Sequence, residues 1–350
     1  VTFTPKPPHS KGALNRAGRL LTTSKPDEAE YDSALKMVNE WRTCHAYPLN
    51  TFNSTLRHKV KRFPGALVAQ RLKRLPTIID KLDRYPEMNL AQMQDIGGIR
   101  AVVNTVKNVQ VLQAEYKDTK RFTHILKKEH DYILAPKPDG YRGVHLVFEY
   151  NNTLSRNSLA EDYAGLLVEL QIRTELQHVW ATAVETTGTL VGESFKTGSG
   201  SKEWKEFFAL VSSAFAIVEK ESVVEKHKNM SPNEIYTAIK KLEKRLGVID
   251  HISGLSVAAN DIHSNNAGFY NIIILDTITR TYDISRFTED QLKEATDMYA
   301  GLEASPKAGR DQVLVRTGDL KSLKAAYPNY FLDVREFIEK LSVIIEEAKE

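Results

Sequence analysis

Cysteine is almost absent from this chain: Cys44 is the only one in 350 residues. A single thiol can form no intrachain disulfide and no cysteine-based zinc site, and such usage suits a reducing cytoplasm. Long hydrophobic runs are missing too. None approaches the ~20 residues that cross a bilayer, so no membrane span is expected. Nor is there an excess of either charge. The 48 Lys and Arg against 45 Asp and Glu leave +3, which does not announce a nucleic-acid binder but permits a local basic face. Repeats and low-complexity blocks are absent. Residues 1–25, rich in Pro, Ser, Thr and Lys, lack the apolar centre of a signal peptide and read as a mobile tail. The length allows one large and one small domain.

Periodicity supplies the elements. A helix is expected from about Pro26, with Asp27 and Glu28 in its first turn and Tyr31, Leu35, Val38 and Trp41 on its buried stripe. Further helices are expected over 50–60 and 75–85, the latter with Pro76 at its start. Ile99 to Val103 reads as a short strand led by a Gly-Gly turn. Val144 to Tyr150 and Leu166 to Thr174 alternate as half-buried strands do. In the second of these, Glu169, Gln171 and Arg173 share one face, which implies water or a cleft there. Beyond Gln177 the chain turns helical: Trp204, Phe208, Val211, Phe215 and Val218 form one apolar stripe, and Pro232 to Leu246 another helix. Residues 253–268 read as a linker or loop. A hairpin (269–275 and 281–284), a helix (288–302), a strand (312–316) and a last helix (332–348) complete the pattern.

The candidate chemistry lies in four segments. Arg71-x-Lys73-Arg74-x-x-Thr77-x-x-x-Lys81 gathers cations before and within the start of a helix, where they and the helix N-terminus can clasp phosphates. Asp95 stands before a strand, and Glu169 sits within one, where acids are depleted; both can serve a hard cation such as Mg²⁺. Tyr141 follows the Asp139-Gly140 turn, so its ring is expected outward, where it can stack on a base, flanked by Lys137 and Arg142. Each feature has a plain structural alternative, as a turn residue, a cap or a solvated face. Their order along the chain carries more weight.

Arg71-x-Lys73, Asp95-Ile-Gly-Gly-Ile-Arg100, Pro136-Lys-Pro-Asp-Gly-Tyr-Arg-Gly-Val-His145 and Glu169-Leu-Gln-Ile-Arg-Thr174, followed by Trp180, resemble the synthetase domain of the RelA/SpoT family over roughly residues 55–200. The resemblance implies an α+β fold: a mixed-sheet, nucleotidyltransferase-like domain flanked by helices. It also implies pyrophosphate transfer from ATP, in which a ribose 3′-hydroxyl attacks the β-phosphorus and AMP leaves. By position, Arg71, Lys73, Lys81 and Arg100 would hold ATP. Asp95 and Glu169 would hold Mg²⁺, with Glu169 assisting deprotonation of the hydroxyl. Lys137, Tyr141, His145, Gln171 and Arg173 would surround the acceptor. Asp139 and Gly143 depart from the usual Asn and Ser, which leaves the acceptor open, and the run 179–188 looks like a divergent branch. His130-Asp131 lies inside the synthetase motif and does not mark the family's hydrolase domain.

The later residues resemble the C-terminal region of CapRel proteins, fused toxin–antitoxins of phage defence. This implies a synthetase domain over 26–250, a degenerate zinc-finger-like α/β module without zinc over 251–325, and a terminal inhibitory helix region over 326–350. That module would be held by an apolar core such as Phe269, Ile272, Ile274, Leu302 and Val315. Tyr327 and Tyr330 would form a Tyr-x-x-Tyr lid over the adenine pocket, released by a phage major capsid protein. The freed enzyme would then modify the 3′-CCA end of tRNA, with Arg57, Lys59, Lys61 and Arg62 among the cations available to RNA. The alternative is a small alarmone synthetase making ppGpp or pppGpp from GDP or GTP. A third reading, a non-catalytic nucleotide or RNA binder, conflicts with retention of both acids and the cation loop.

Overall fold

The computed structural model describes residues 3–23, 27–120, 122–151, 158–191, 200–254, 257, 268–276, 279, 281–304, 310–316 and 330–348. The chain divides into two compact units. The first comprises Val1–Tyr132 and Gly143–Glu175, the second Ile133–Arg142 and Leu176–Glu350. The division runs through the range 26–250 expected as one domain, with residues 176–250 and the loop before residue 143 grouped in the second unit.

The first unit is an α+β fold built on a five-stranded mixed sheet. Its strands are β1 (Leu67–Leu72), β2 (Gly97–Val103), β3 (Ile125–Asp131), β4 (Val144–Glu149) and β5 (Leu167–Thr174), in the order β1-β2-β5-β4-β3. Only β2 and β5 run parallel. One face is apolar: Ile99, Ala101, Leu146, Phe148, Val168, Leu170 and Ile172 are all buried. Helices α3 (Ala46–Val60) and α5 (Val106–Lys117) cover it, and the rings of Phe52 and Tyr116 lie 5.8 and 6.1 Å from Phe148. Alternation by two then places the polar residues of β2, β4 and β5 on the opposite face.

Three expectations in this unit change. Residues 11–20 are not a tail but helix α1 (Lys11–Leu20), capped by the Ser10 side chain and burying Leu14 and Ala17. Helix α2 (Glu28–Cys44) starts after Asp27, whose side chain accepts from Glu30 N–H, so Asp27 is the cap and not a first-turn acid. The Gly-Gly turn is not a turn. Gly97 and Gly98 are paired residues of β2, hydrogen-bonded to strands on both sides. Helix α4 (Leu75–Arg84) begins with Pro76 in its first turn, as expected.

In the second unit, helices α6 (Glu175–Val191), α7 (Gly200–Glu219), α8 (Pro232–Leu246) and α10 (Tyr330–Glu347) share one core that includes Trp180, Phe208, Val211, Phe215, Ile235, Ile239, Phe337 and Leu341. Val218, expected on that stripe, is exposed. Helix α8 has both its punctuation marks: a Ser231–Glu234 capping box and Gly247 in the left-handed conformation after its end. A three-stranded antiparallel sheet of order β7-β6-β8 is formed by β6 (Tyr270–Asp276), β7 (Thr281–Phe287) and β8 (Arg310–Arg316), accompanied by α9 (Leu292–Ala304). In β6, Ile272 and Ile273 are both fully buried, and Ile273 joins the helical core. Tyr327, most of 253–268 and the side chains of Val315 and Tyr330 lie outside the described residues. Among the described residues no helix is long and apolar enough to cross a membrane.

Candidate active site

Strand register assembles the polar face of the first unit. Paired residues on adjacent strands project from the same side of a sheet, so each row of partners can be read off directly. One row is Arg71, Gly98, Glu169 and Val147; the next is Ala69, Arg100, Gln171 and His145. Thus Arg71, Arg100, His145, Gln171 and Glu169, far apart in sequence, share one patch of sheet. Gly98 contributes no side chain beside Glu169, and a Cβ there would meet nothing nearer than the Arg71 carbonyl at 3.9 Å. The floor of the patch is therefore open at that point.

At the edge of this patch Lys73 follows β1, tied down by its N–H to Ile96 O at 2.8 Å. Its Nζ lies 2.8 Å from Asp95 Oδ2, and Lys81 Nζ from α4 lies 2.9 Å from the same oxygen. Burial opposes ionisation of Asp95, but the two ammonium groups outweigh it and hold the carboxyl below its ordinary range. Two cations around one anion leave one positive charge in excess. Helix α4 also has no acid in its first turn and no side-chain cap bond, so its N-terminal amides are not capped by a side chain.

Glu169 is held by a short chain of side chains. His145 Nδ1 lies 2.9 Å from Oε1, and Gln171 Nε2 donates to Oε2 at 2.8 Å. Gln171 Oε1 in turn accepts from Arg173 Nη2 at 3.1 Å. Burial raises the Glu169 carboxyl, but the His145 hydrogen bond and charge overcome this and leave it lowered; Asp95 pushes weakly the other way. The two acids therefore sense each other and both stay ionised near neutrality. Arg173, expected on a wet face, is 4% exposed, because Gly143 packs against it: a Cβ at Gly143 would lie 3.1 Å from Arg173 Cγ.

The expected acceptor loop, residues 133–142, belongs to the second unit. Tyr141 is not fully outward. It is half-buried against the helical core, with Lys137 Nζ 4.9 Å from its ring centroid. Asp139 shapes the turn, its Oδ1 accepting Tyr141 N–H at 3.0 Å. Of the cations considered for RNA, Lys59 and Arg62 both pair with Glu115, at 3.4 and 2.7 Å.

Arg42 on α2 was not signalled by sequence. Its Nε donates to Lys73 O at 2.7 Å, bracing the backbone that carries a phosphate-binding candidate. An arginine on a helical face offers no periodic or motif signal for such a role.

The two carboxylates suit Mg²⁺. That ion takes oxygen ligands and commonly needs only one or two carboxylates beside substrate phosphates. Both carboxyls are held below their ordinary range, though among the described residues no group of three or more His, Cys, Asp or Glu gathers that could hold a metal by itself.

Acids and cations so arrayed could hold a polyphosphate ligand, and the comparisons with known proteins fall on the same segment. Residues 70–187 match the family described as a region found in RelA / SpoT proteins. The match takes in about a third of the chain and includes Arg71, Asp95, Tyr141 and Glu169. GTP pyrophosphokinase YjbM of Bacillus subtilis is 34% identical over 122 residues, covering 34% of this chain and 54% of the relative. GTP pyrophosphokinase YwaC of the same organism is 31% identical over 120 residues, covering 32% and 52%. The chain thus spans about half the length of these curated relatives. The crystal structure of small alarmone synthetase 1 from Bacillus subtilis superposes with a TM-score of 0.41 at 24% identity, covering 50% of this chain and 88% of that one.

Proposed function

We propose that this protein is an ATP-dependent pyrophosphokinase acting on the 3′-hydroxyl of a guanine nucleotide, GDP or GTP. The observation that carries the reading is the convergence of Arg71, Arg100, Glu169, Gln171 and His145 on one sheet face, beside Asp95 with Lys73 and Lys81. The similarity to two GTP pyrophosphokinases supports the guanine nucleotide as acceptor.

In this reading Lys73, Lys81, Arg71 and Arg100 bind and neutralise the ATP phosphates, which is most of what a phosphoryl-transfer site supplies. The lysines now on Asp95 exchange that carboxylate for phosphate oxygens. Asp95 and Glu169 would hold Mg²⁺, which would supply positive charge against that of the phosphates. Glu169 accepts the proton of the attacking hydroxyl, its oxygens aimed by His145 and Gln171. By the resemblance of their motif, Lys137 and Tyr141 would receive the acceptor base. The hydroxyl oxygen bonds to the β-phosphorus, the bond to the α-phosphate oxygen breaks, and AMP leaves.

A second reading keeps the chemistry and changes the acceptor to the 3′-CCA end of tRNA. In it the C-terminal region, with Tyr327 and Tyr330, cages the enzyme until a phage capsid protein binds. It is supported by the resemblance of residues 252–350 to CapRel C-terminal regions. One assay separates the two. Intact protein and the Tyr327→Ala/Tyr330→Ala form are given γ-labelled ATP with Mg²⁺, and GDP, GTP and bulk tRNA in parallel. Label on GDP or GTP with release of AMP, equal in both forms, supports the first reading. Label on tRNA mainly in the double variant replaces it with the second, and label on neither acceptor in either form removes both.

A further inference from the structure

The acceptor loop has a footing on helix α7 that lies outside the matched family region. Ser212, 2% exposed, uses its hydroxyl twice: Oγ donates to Gly140 O at 2.5 Å and accepts from Arg142 Nε at 2.9 Å. A serine hydroxyl has one proton to give, and here it goes to the loop. Gly140 meets the helix closely. Its φ is +96°, and a Cβ there would lie 2.9 Å from Ser212 Cβ, 3.0 Å from the Trp180 ring and 3.1 Å from Ala209 Cα. No side chain fits that gap. Trp180 is itself fixed, its Nε1 donating to Phe208 O at 2.8 Å. Arg142, 3% exposed, reaches back to Ile133 O at 3.4 Å, so both ends of the loop are gathered. Burial lowers its guanidinium to about 10 against the pull of Glu219 and Glu221. Between these ends Lys137 N–H bonds Tyr141 O and Gly140 N–H bonds Lys137 O, so the turn carrying Tyr141 is closed on itself.

We infer that Ser212 is a positioning residue for acceptor binding: with Gly140 and Arg142 it forms a latch that fixes the loop presenting Tyr141 and Lys137. Ser212 does not touch the acceptor. It sets where the ring that meets the base is held, and the loop is pre-ordered before the acceptor arrives. The part of this inference that concerns the acceptor rests on the proposed function; the latch itself does not.

The test compares Ser212→Ala, Ser212→Cys and Gly140→Ala with the unaltered full-length chain. Amide hydrogen exchange of residues 137–141 is followed alongside β5 amides, which report whether the first unit stays folded. Loss of the hydroxyl should speed exchange in the loop by up to roughly tenfold, the factor that a net hydrogen bond amounts to, with β5 unchanged. Gly140→Ala should do the same by steric expulsion. Ser212→Cys, which keeps volume and a weak donor, should fall between. In transfer assays with GDP, GTP and bulk tRNA as probes, KM for whichever acceptor is used should rise several-fold, with KM for ATP and kcat at saturating acceptor near their starting values. Unchanged loop exchange in both Ser212→Ala and Gly140→Ala overturns the latch. Faster exchange with an unaltered acceptor KM overturns its role in binding. If the unaltered protein modifies none of the three probes, the functional reading and the positioning role fall together, and the exchange data still decide the latch.

Discussion

Phe337 offers a measurable test of what the last helix does. It sits on α10, fully buried, with its ring 6.1 Å from Phe208 and 6.0 Å from Phe215 on α7. Val334, Leu341 and Ile344 on the same helix are also buried in this core. If α10 is an integral part of the unit, Phe337→Ala removes a whole ring from a closed site. Such truncations cost about 3–5 kcal/mol, from lost transfer energy and the cavity left behind. At roughly 2–4 °C per kcal/mol for a unit of this size, the melting temperature should fall by roughly 6–20 °C. Val343→Ala is the matched control: the same helix, but 52% exposed, and expected within about 0.5 kcal/mol of the parent. Urea unfolding followed by tryptophan fluorescence suits the measurement, because Trp180 belongs to this core and Trp204 packs against it. If Phe337→Ala unfolds at the same urea concentration as Val343→Ala, the helix is not structural and the packing argument fails.

Glu169→Gln keeps a hydrogen-bonding side chain but loses the charge; transfer should drop by at least about 100-fold with the circular dichroism spectrum intact, and near-normal turnover would remove Glu169 from the mechanism. Removing the brace on Lys73 with Arg42→Met should raise KM for ATP several-fold and leave KM for the acceptor unchanged, as steady-state kinetics would show; equal shifts in both would assign Arg42 a general structural role. Stability should also depend on pH through His45 and His124, each lowered by burial to about 4. Unfolded imidazoles protonate below about 6.5, so between about 6.5 and 4 the unfolded chain binds more protons. The contribution is present above that window and lost as pH falls through it. A urea midpoint that stays flat from pH 7 to pH 5 would contradict the burial of neutral imidazoles.

Legibility in the sequence followed the strength of local signals. Helix α8 was readable to the residue because its capping box and its terminal Gly247 punctuate it at both ends. Strand β5 was readable because Val168, Leu170 and Ile172 alternate cleanly with polar residues. Helix α1 was not, since only Leu14, Ala17 and Gly18 of its residues are buried within a basic, Pro-flanked segment. Edge strand β1 was likewise silent: Leu67 to Ala69 shows no alternation, and its half-exposed residues need none. Gly97 and Gly98 misled in a specific way. Paired glycines usually mark a turn, but here two flanking strands supply the hydrogen bonds that override the local preference.

The acids of the site were legible and their partners were not, for a topological reason. Glu169 stands out as a charge in a strand, yet what it touches depends on which strand lies beside β5. The order β1-β2-β5-β4-β3 puts β2 beside β5 out of chain order, and the antiparallel register of β4 on β5 brings His145, 24 residues earlier, to Glu169. That placement gives His145, expected near the acceptor, a contact with the Glu169 carboxylate as well. Asp95 follows the same logic. The resemblance implies phosphate-binding roles for Lys73 and Lys81, but only the fold shows them paired with Asp95. Without them a largely buried carboxylate would be driven toward its protonated form. With them it stays ionised, and both lysines are held on one carboxylate. Ionised acids and gathered cations can thus coexist in one site because each compensates the other.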